Sequence, residues 1–223
     1  MNKWNNAYFY NEVDKETQEF FNKHESLVAQ FPADPFRLDN SDDIDDVLDN
    51  TLMPWLKLPI DVPWKDIYKE AKHLLDTECF TLHRANTGGG WLSLCIHGMS
   101  STHTNVPEDY KLPDSAEREL STWTDIAKFC PATVEWMKSS MPYTEFTRVR
   151  FMALLPGGWI APHQDTTNVP GFGATNVAIN NPDGCALVME DWGTMPFEPG
   201  TAFKISPIQK SPMICLTASM SPS

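Results

Sequence analysis

In the first 145 residues, several stretches place their apolar positions at the spacing of a helix. Over residues 64–75 they return every three to four positions, which predicts an amphipathic helix. Pro131 suits the first turn of a second helix that extends to about Ser139. Residues 16–30 and the Asp-rich residues 39–49 also have helical spacing, and the aspartates there are read as a solvated helix face. This part of the chain is therefore predicted to be mostly helical.

The other predicted elements are strands that end at glycine and proline residues. A strand over residues 91–96 follows a turn predicted at Gly88-Gly89-Gly90. From residue 146 onward strands are predicted over residues 146–154, 159–163, 174–180, 186–190 and 201–205, with a turn at Pro156-Gly157-Gly158. Short strands at this spacing are typical of a sandwich or barrel. The sequence thus predicts an α+β fold with a mainly β core. We expect the chain to form a single domain (1–223). Its residues 1–145 are expected to be mostly helical with a few strands, and residues 146–223 are expected to form the β core that carries the candidate metal motif.

Composition narrows the classes of function. The formal net charge of -13 opposes binding to nucleic acid and to anionic membranes, because both are polyanions. No apolar run approaches membrane-spanning length, and the first residues lack the apolar core of a signal peptide. The five cysteines form no C-x-x-C pair, which indicates free thiols in a reducing compartment. We therefore expect a soluble cytoplasmic protein that binds neither nucleic acid nor membrane, and the oligomeric state stays open.

The candidate chemistry is concentrated in His163-Gln164-Asp165. Residues two apart in a strand point to the same face, so the imidazole and the carboxylate can reach one ion. A second His from a distant strand would complete the two-His, one-carboxylate arrangement of Fe(II) oxygenases, which leaves three positions open for co-substrate and oxygen. Considered without its surroundings, the same pair is more typical of a hydrogen-bonded loop that holds no metal.

The surroundings of this pair resemble a known family. Residues 150–165, Arg-Phe-Met-Ala-Leu-Leu-Pro-Gly-Gly-Trp-Ile-Ala-Pro-His-Gln-Asp, resemble the signature of the aspartyl/asparaginyl β-hydroxylase family. Residues 175–185 and 192–203 are similar to the segments that follow in that family. The resemblance covers roughly residues 146–205, and the first 145 residues match nothing by this comparison.

The resemblance implies both a fold and an activity. The fold would be a double-stranded β-helix (jelly roll, cupin-like) with the N-terminal helices packed on it. The activity would be Fe(II)- and 2-oxoglutarate-dependent hydroxylation of an amino acid, a peptide side chain or another small molecule. His163 and Asp165 would be the metal ligands.

Further candidates each have a structural alternative. Asn176 stands where relatives carry a His that contacts the co-substrate, and Arg150, with Arg148 on the same strand face, could attract an anion. Both are candidate cofactor-binding residues, although a strand Asn can equally bond a nearby loop and such arginines often pair with acids. The remaining candidates are aromatic residues that line either the pocket or the core, and polar residues that could support the ligands: Trp159, Trp192, Thr166, Thr167 and Asn168.

The sequence also departs from the family's pattern. No His follows His163 and no Arg follows Arg150, so the implied second metal ligand and the Arg that holds 2-oxoglutarate are both absent. The upstream histidines His83, His97 and His103 could replace the missing ligand, but each is more typical of a core or surface position. An oxygenase and a catalytically inactive jelly-roll binding module with an incomplete metal site therefore both remain possible. A zinc hydrolase is disfavoured, because three ligands and a positioned base are lacking.

Residues 211–223 carry no charge, in a chain that is 21% charged. The resemblance implies that the last strands of the barrel are missing after them, so the chain is expected to be truncated or frame-shifted. In the frame that begins at the last base of the Pro212 codon, Pro-Met-Ile is read as His-Asp when that base is cytosine. We therefore hypothesise a His at position 212. Sequencing the source DNA tests this, since a Pro212 codon other than CCC or CCT, with no His codon nearby in either alternative frame, contradicts it.

Overall fold

The computed structural model describes residues 15, 19, 55–83, 88–101, 111–113, 115–143, 147–163, 174–190, 192–205 and 213–217. Its helices are α1 (Trp64–Asp76), α2 (Ser115–Leu120), a 3-10 helix (Asp125–Phe129) and α3 (Pro131–Ser140). Its strands are β1 (Trp55–Lys57), β2 (Thr81–Leu82), β3 (Gly88–Gly98), β4 (Thr122–Trp123), β5 (Val149–His163), β6 (Thr175–Val177), β7 (Cys185–Met189), β8 (Gly193–Thr194), β9 (Ala202–Ile205) and β10 (Met213–Thr217).

The strands form two antiparallel sheets. The larger sheet has the order β2-β3-β5-β10-β7-β8, and β4 pairs with the far end of β3. The smaller sheet has the order β1-β9-β6. The prediction of an α+β fold with a mainly β core is confirmed. Among the described residues neither sheet closes on itself, so the jelly roll stays a prediction.

Helices α1 and α3 cover one face of the larger sheet. Ile67, Ala71 and Leu74 recur along α1 at the spacing of one helix face and are buried. They share a core with Leu92, Leu94 and Ile96 of β3, with Phe151 of β5 and with Trp136 and Met137 of α3. This core holds the helices on the larger sheet.

The two helices are also joined by a polar contact. The Glu70 carboxylate of α1 accepts hydrogen bonds from the backbone N–H groups of Ala132 (2.7 Å) and Thr133 (3.1 Å), and from the Thr133 hydroxyl (2.6 Å). The first turn of a helix has N–H groups without partners inside the helix, and a carboxylate is favourable there. Glu70 therefore caps α3 from the neighbouring helix.

The predicted turn at Pro156-Gly157-Gly158 is wrong, because β5 continues through it. Gly89 pairs with Trp159 and Trp91 pairs with Leu154, so four residues of β5 lie opposite Gly90 alone. This bulge is possible because Gly90 and Gly157 adopt positive φ angles of 68° and 75°. The turn predicted at Gly88-Gly89-Gly90 is wrong for the same reason, since these glycines belong to β3.

The bulge divides β5 into two parts. We call residues 149–154 the helix-backed half, because Phe151 lies in the core under α1 and α3. We call residues 159–163 the site half. It pairs with the glycine end of β3 on one side and with β10 on the other.

Several other predicted helices and strands have counterparts in the structure. The helices at residues 64–75 and from Pro131 are confirmed. The three strands predicted last are found as β6, β7 and β9; β6 and β9 are shorter than predicted, and β7 begins and ends one residue earlier. The helices predicted at residues 16–30 and 39–49 lie outside the described residues, except for Glu19, which is helical. No helix in the described part of the chain is both long and apolar enough to cross a membrane.

The proposed boundary at residue 145 stays a prediction. Strands from both sides of it share each sheet, since β3 pairs with β5 and β1 pairs with β9. A further link joins the smaller sheet to α1 through the turn at Gly200, whose φ is 93°. A Cβ atom on Gly200 would lie 2.8 Å from Cδ1 of Trp64, so only glycine lets this turn approach the helix so closely.

Candidate functional site

His163 is the last residue of β5 and is half-buried. Its Nδ1 lies 2.9 Å from the carbonyl oxygen of Ala161. A carbonyl can only accept, so Nδ1 carries the proton in the neutral ring and Nε2 is the atom with a lone pair. Histidines that bind metals are usually oriented in this way, with one ring nitrogen donating to a carbonyl and the other facing the ion. The structure therefore presents His163 in the tautomer that a metal ligand needs.

Trp91 of β3 lies beside His163, with 6.0 Å between the ring centroids. Trp91 also contacts His83, whose ring meets it edge to face with 4.3 Å between the ring centroids. His83 is buried, and its Nδ1 lies 3.0 Å from the hydroxyl of the buried Ser93. His83 and Ser93 thus fix the position of Trp91 against the site half of β5. Sequence reasoning did not single out Trp91, since no local signal connects two residues so far apart in the chain.

The register shows which way this end of the larger sheet faces. Met213 of β10 pairs with His163 on one side and with Met189 of β7 on the other. Residues directly opposite each other in antiparallel strands share a face. Met189 is buried in a cluster with Trp55, Met195, Phe203 and Ile205, which joins the larger sheet to the smaller one. His163 is therefore on the face directed at the smaller sheet, which we call the inter-sheet face.

Asn176 approaches the same space from the opposite side. It is half-buried in β6 and pairs with Phe203 of β9, a member of the cluster between the sheets. Paired residues share a face, so Asn176 lies on the face of the smaller sheet that is directed at the larger sheet. His163 and Asn176 thus lie on facing sides of the two sheets. The buried Lys204 is on the other side of β9, where its Nζ lies 4.8 Å from the centroid of the Tyr143 ring.

Arg150 is not placed beside His163. It pairs with Cys95 near the far end of β3, whereas the site half of β5 meets Gly88 and Gly89. Seven residues separate Gly88 from Cys95, which corresponds to roughly 20 Å at about 3.3 Å per residue. Arg150 lies on the face that Trp91 occupies, but at the opposite end of the sheet. Its proposed role at the cofactor would need a ligand or a rearrangement that spans this distance.

The described upstream histidines do not join His163 either. His83 is separated from it by Trp91. His97 lies at the other end of β3, where its ring meets Trp123 at 5.0 Å and its Nδ1 lies 3.2 Å from the carbonyl oxygen of Thr147. Burial lowers the pKa of His97, while the bond to Thr147 acts in the opposite direction. His97 is therefore a neutral structural histidine at neutral pH.

Several predicted residues cannot be placed. Asp165 lies outside the described residues, as do Gln164, Thr166, Thr167, Asn168 and His103. Trp159 is buried in the site half of β5, and Trp192 packs on the cluster between the sheets. Within the part of the chain that the structure describes, no three His, Cys, Asp or Glu residues form a group that could hold a metal ion.

The described residues thus match one metal ligand but not a complete iron centre. His163 has the required tautomer. The position paired with it on β10 is a methionine, whose thioether suits softer metals than Fe(II). The sequence offers no later His that could replace it.

Comparison with known proteins identifies the class. A model of the aspartyl/asparaginyl beta-hydroxylase family matches residues 62–205, which is more than half of the chain. The chain therefore belongs to this family of hydroxylases, as the motif order around His163 predicted. The match begins at residue 62 rather than at about 146, so α1, β3 and α3 are part of the family's region. The curated proteins contain no match to this chain.

Proposed function

We propose that this protein is an Fe(II)- and 2-oxoglutarate-dependent hydroxylase of an amino acid, a peptide side chain or another small molecule. The observation that carries the proposal is the bond from His163 Nδ1 to Ala161, made at the end of a strand that lies within the family match. Nε2 would then be the atom that binds the metal. Iron would supply the oxygen chemistry, with 2-oxoglutarate as the electron donor that becomes succinate and CO₂.

The protein's own residues would have simpler tasks. We propose that His163 and Asp165 hold the metal and that Trp91 excludes water from one side of it. Asn176, on the facing sheet, would donate a hydrogen bond to a carboxylate of the co-substrate. The four cysteines whose side chains are described (Cys79, Cys95, Cys130 and Cys185) are free thiols, which supports a reducing compartment such as the cytoplasm.

The test is an anaerobic titration with Fe(II) at millimolar concentration and 2-oxoglutarate. We expect a weak visible charge-transfer band, together with formation of succinate when oxygen and a suitable substrate are added. His163→Ala should abolish the band. His97→Gln, a substitution at the far end of β3, should keep it. The proposal fails if the unmodified chain gives no band, or if His163→Ala gives the same band.

The absent second His favours one alternative, a binding module that keeps the fold without the catalysis. Such a module would bind a small molecule or peptide between the sheets and would form no succinate. Calorimetry with candidate amino acids and peptides, with and without metal, separates the two functions, because the module's affinity should not depend on metal.

A further inference from the structure

Strand β1 places a lysine on the face of the smaller sheet that is directed at the larger sheet. Lys57 pairs with Phe203 of β9, and Trp55 of the same strand pairs with Ile205. Trp55, Phe203 and Ile205 are all buried in the cluster between the sheets. Leu56, between the two β1 residues, is buried in a separate core on the other face. Alternate residues of a strand share a face, as do directly paired residues, so Lys57 is directed into the space between the sheets.

Lys57 and Asn176 belong to one row across the smaller sheet. Both pair with Phe203, Lys57 from β1 and Asn176 from β6. Neighbouring strands lie about 4.8 Å apart, so the Cα atoms of the two polar residues are roughly 10 Å apart. The side chain of Phe203, which is 1% exposed, lies between them. The row thus offers an ammonium group, an apolar centre and an amide to a molecule that enters between the sheets.

The charge of Lys57 is not balanced by a neighbour. It is half-buried, and no hydrogen bond or ion pair joins its Nζ to another residue in the part of the chain that the structure describes. Among the described residues of β1, β6 and β9 it is also the one charged side chain on this face. A cation that is partly removed from water attracts an anion strongly, because the effective dielectric constant there is lower than at the surface. The chain as a whole carries a net charge of -13 and repels anions, so a carboxylate needs a local cation of this kind.

We propose that Lys57 is the cation of a carboxylate-binding subsite between the two sheets. Its ligand carries a carboxylate for Lys57 and a hydrogen-bond acceptor for the amide of Asn176. Strand β1 precedes the residues that match the family, so this cation is supplied from outside the family's region. The inference goes beyond the proposed function, because neither metal nor oxygen takes part, and the subsite would serve an oxygenase and a binding module alike.

The experiment measures binding by calorimetry after a chelator has removed metal from the full chain. The probes are 2-oxoglutarate, a tripeptide with blocked ends and a central aspartate, and the same tripeptide with asparagine in its place. We expect the unmodified chain to bind at least one of the two carboxylate probes, with an affinity that falls as salt is added, and not to bind the asparagine peptide. The carboxylate probe that binds shows whether the carboxylate comes from a small dicarboxylate or from an acidic side chain.

Three variants locate the binding. Lys57→Met keeps the aliphatic stem and should weaken binding roughly tenfold or more, because it removes a charge-assisted hydrogen bond. Lys57→Arg keeps the charge and should retain most of the affinity. The matched control is Lys65→Met on α1, which changes the net charge by the same amount at an exposed position and should leave the affinity unchanged.

The inference is overturned if the unmodified chain binds neither carboxylate probe, or if Lys57→Met and Lys65→Met weaken binding equally. If Lys57→Met changes the circular dichroism spectrum, the unmodified chain still decides the matter. An affinity that does not change with salt, or equal binding of the aspartate and asparagine peptides, then overturns the inference. The proposed function fails separately, since a missing charge-transfer band with Fe(II) leaves this metal-free result as it is.

Discussion

The helix-backed half of β5 pairs with β3 and is packed under α1 and α3, whereas the site half pairs with the glycine end of β3 and with β10. Phe151 in the first half is 6% exposed and stacks on Phe80 at 6.5 Å. His163 at the end of the second half is half-buried, and its Nδ1 bonds the carbonyl oxygen of Ala161, two positions away. One strand thus combines a part that stabilises the fold with a part that presents a reactive side chain.

The largest expected effect is in the helix-backed half. Phe151→Ala should lower the free energy of unfolding by about 4 kcal/mol, because it removes a buried ring and leaves a cavity. Met152→Ala is the matched control, since its side chain points to the other face and is 41% exposed. It should change stability by no more than about 0.5 kcal/mol. Urea denaturation measures both, and similar losses would mean that the helices do not anchor this half.

The junction between the halves should be the next most sensitive point. A Cβ atom on Gly158 would lie 2.7 Å from the Leu155 oxygen and 2.9 Å from the Gly89 oxygen, both of them backbone atoms. Gly158→Ala should therefore cost about 3 kcal/mol. Gly157→Ala meets no atom within 4 Å, and its positive φ alone should cost about 1 kcal/mol. If thermal unfolding ranks the two variants the other way, the bulge does not have the geometry described.

The helices that cover the first half depend on Glu70. Glu70→Gln removes the charge that accepts three hydrogen bonds at the start of α3, and it should cost about 2 kcal/mol. Asp66→Asn, on the same helix, breaks only an exposed pair with Lys69 and should cost about 0.5 kcal/mol or less. Circular dichroism melts of the two variants test this, and equal melting temperatures would contradict the capping role.

His163, at the end of the site half, should contribute little to stability. His163→Ala removes the local hydrogen bond to Ala161, and it should cost about 1 kcal/mol or less while removing the metal ligand. Co²⁺ calorimetry beside a urea melt measures both properties on one sample. A loss as large as that of Phe151→Ala would show that the two halves are not separated in this way.

The smallest effect is a pH dependence at the far end of β3, where His97 pairs with Val149. Burial holds the pKa of His97 below its usual value of 6.5. A His whose pKa is lower in the folded state contributes stability above pH 6.5 and loses it as the pH falls below that value. His97→Gln should flatten the stability curve between pH 7.5 and 5. A curve of unchanged slope would show that other groups cause the loss.

Local pattern was sufficient for α1 and α3, because the buried residues of α1 recur with the helical period and Pro131 marks a start. It failed at Gly90 and Pro156-Gly157-Gly158, where glycine and proline indicate turns. The structure uses these residues for a bulge, which exists only because β3 and β5 pair. β10 was missed for a similar reason. Its uncharged segment forms a strand because it pairs with β5 on one side and with β7 on the other.

At the site, spacing and motif order were enough to select His163. They could not select Trp91, which reaches His163 only after β3 and β5 pair. They also suggested Arg150 as a cofactor-binding residue, because Arg148 and Arg150 lie on one strand face and could attract an anion. The continuous β5 instead places Arg150 at the opposite end of the strand from His163.

The position of β10 has a consequence for synthesis on the ribosome. It lies between β5 and β7, so these two strands cannot be joined before residues 213–217 have left the exit tunnel. Until then the site half of β5 and the edge of β7 expose backbone groups that can pair with other chains. Domains usually fold as units while the chain is made. The growing chain should therefore depend on chaperones until these five residues emerge, and a release of the chain before residue 213 would leave an aggregation-prone product.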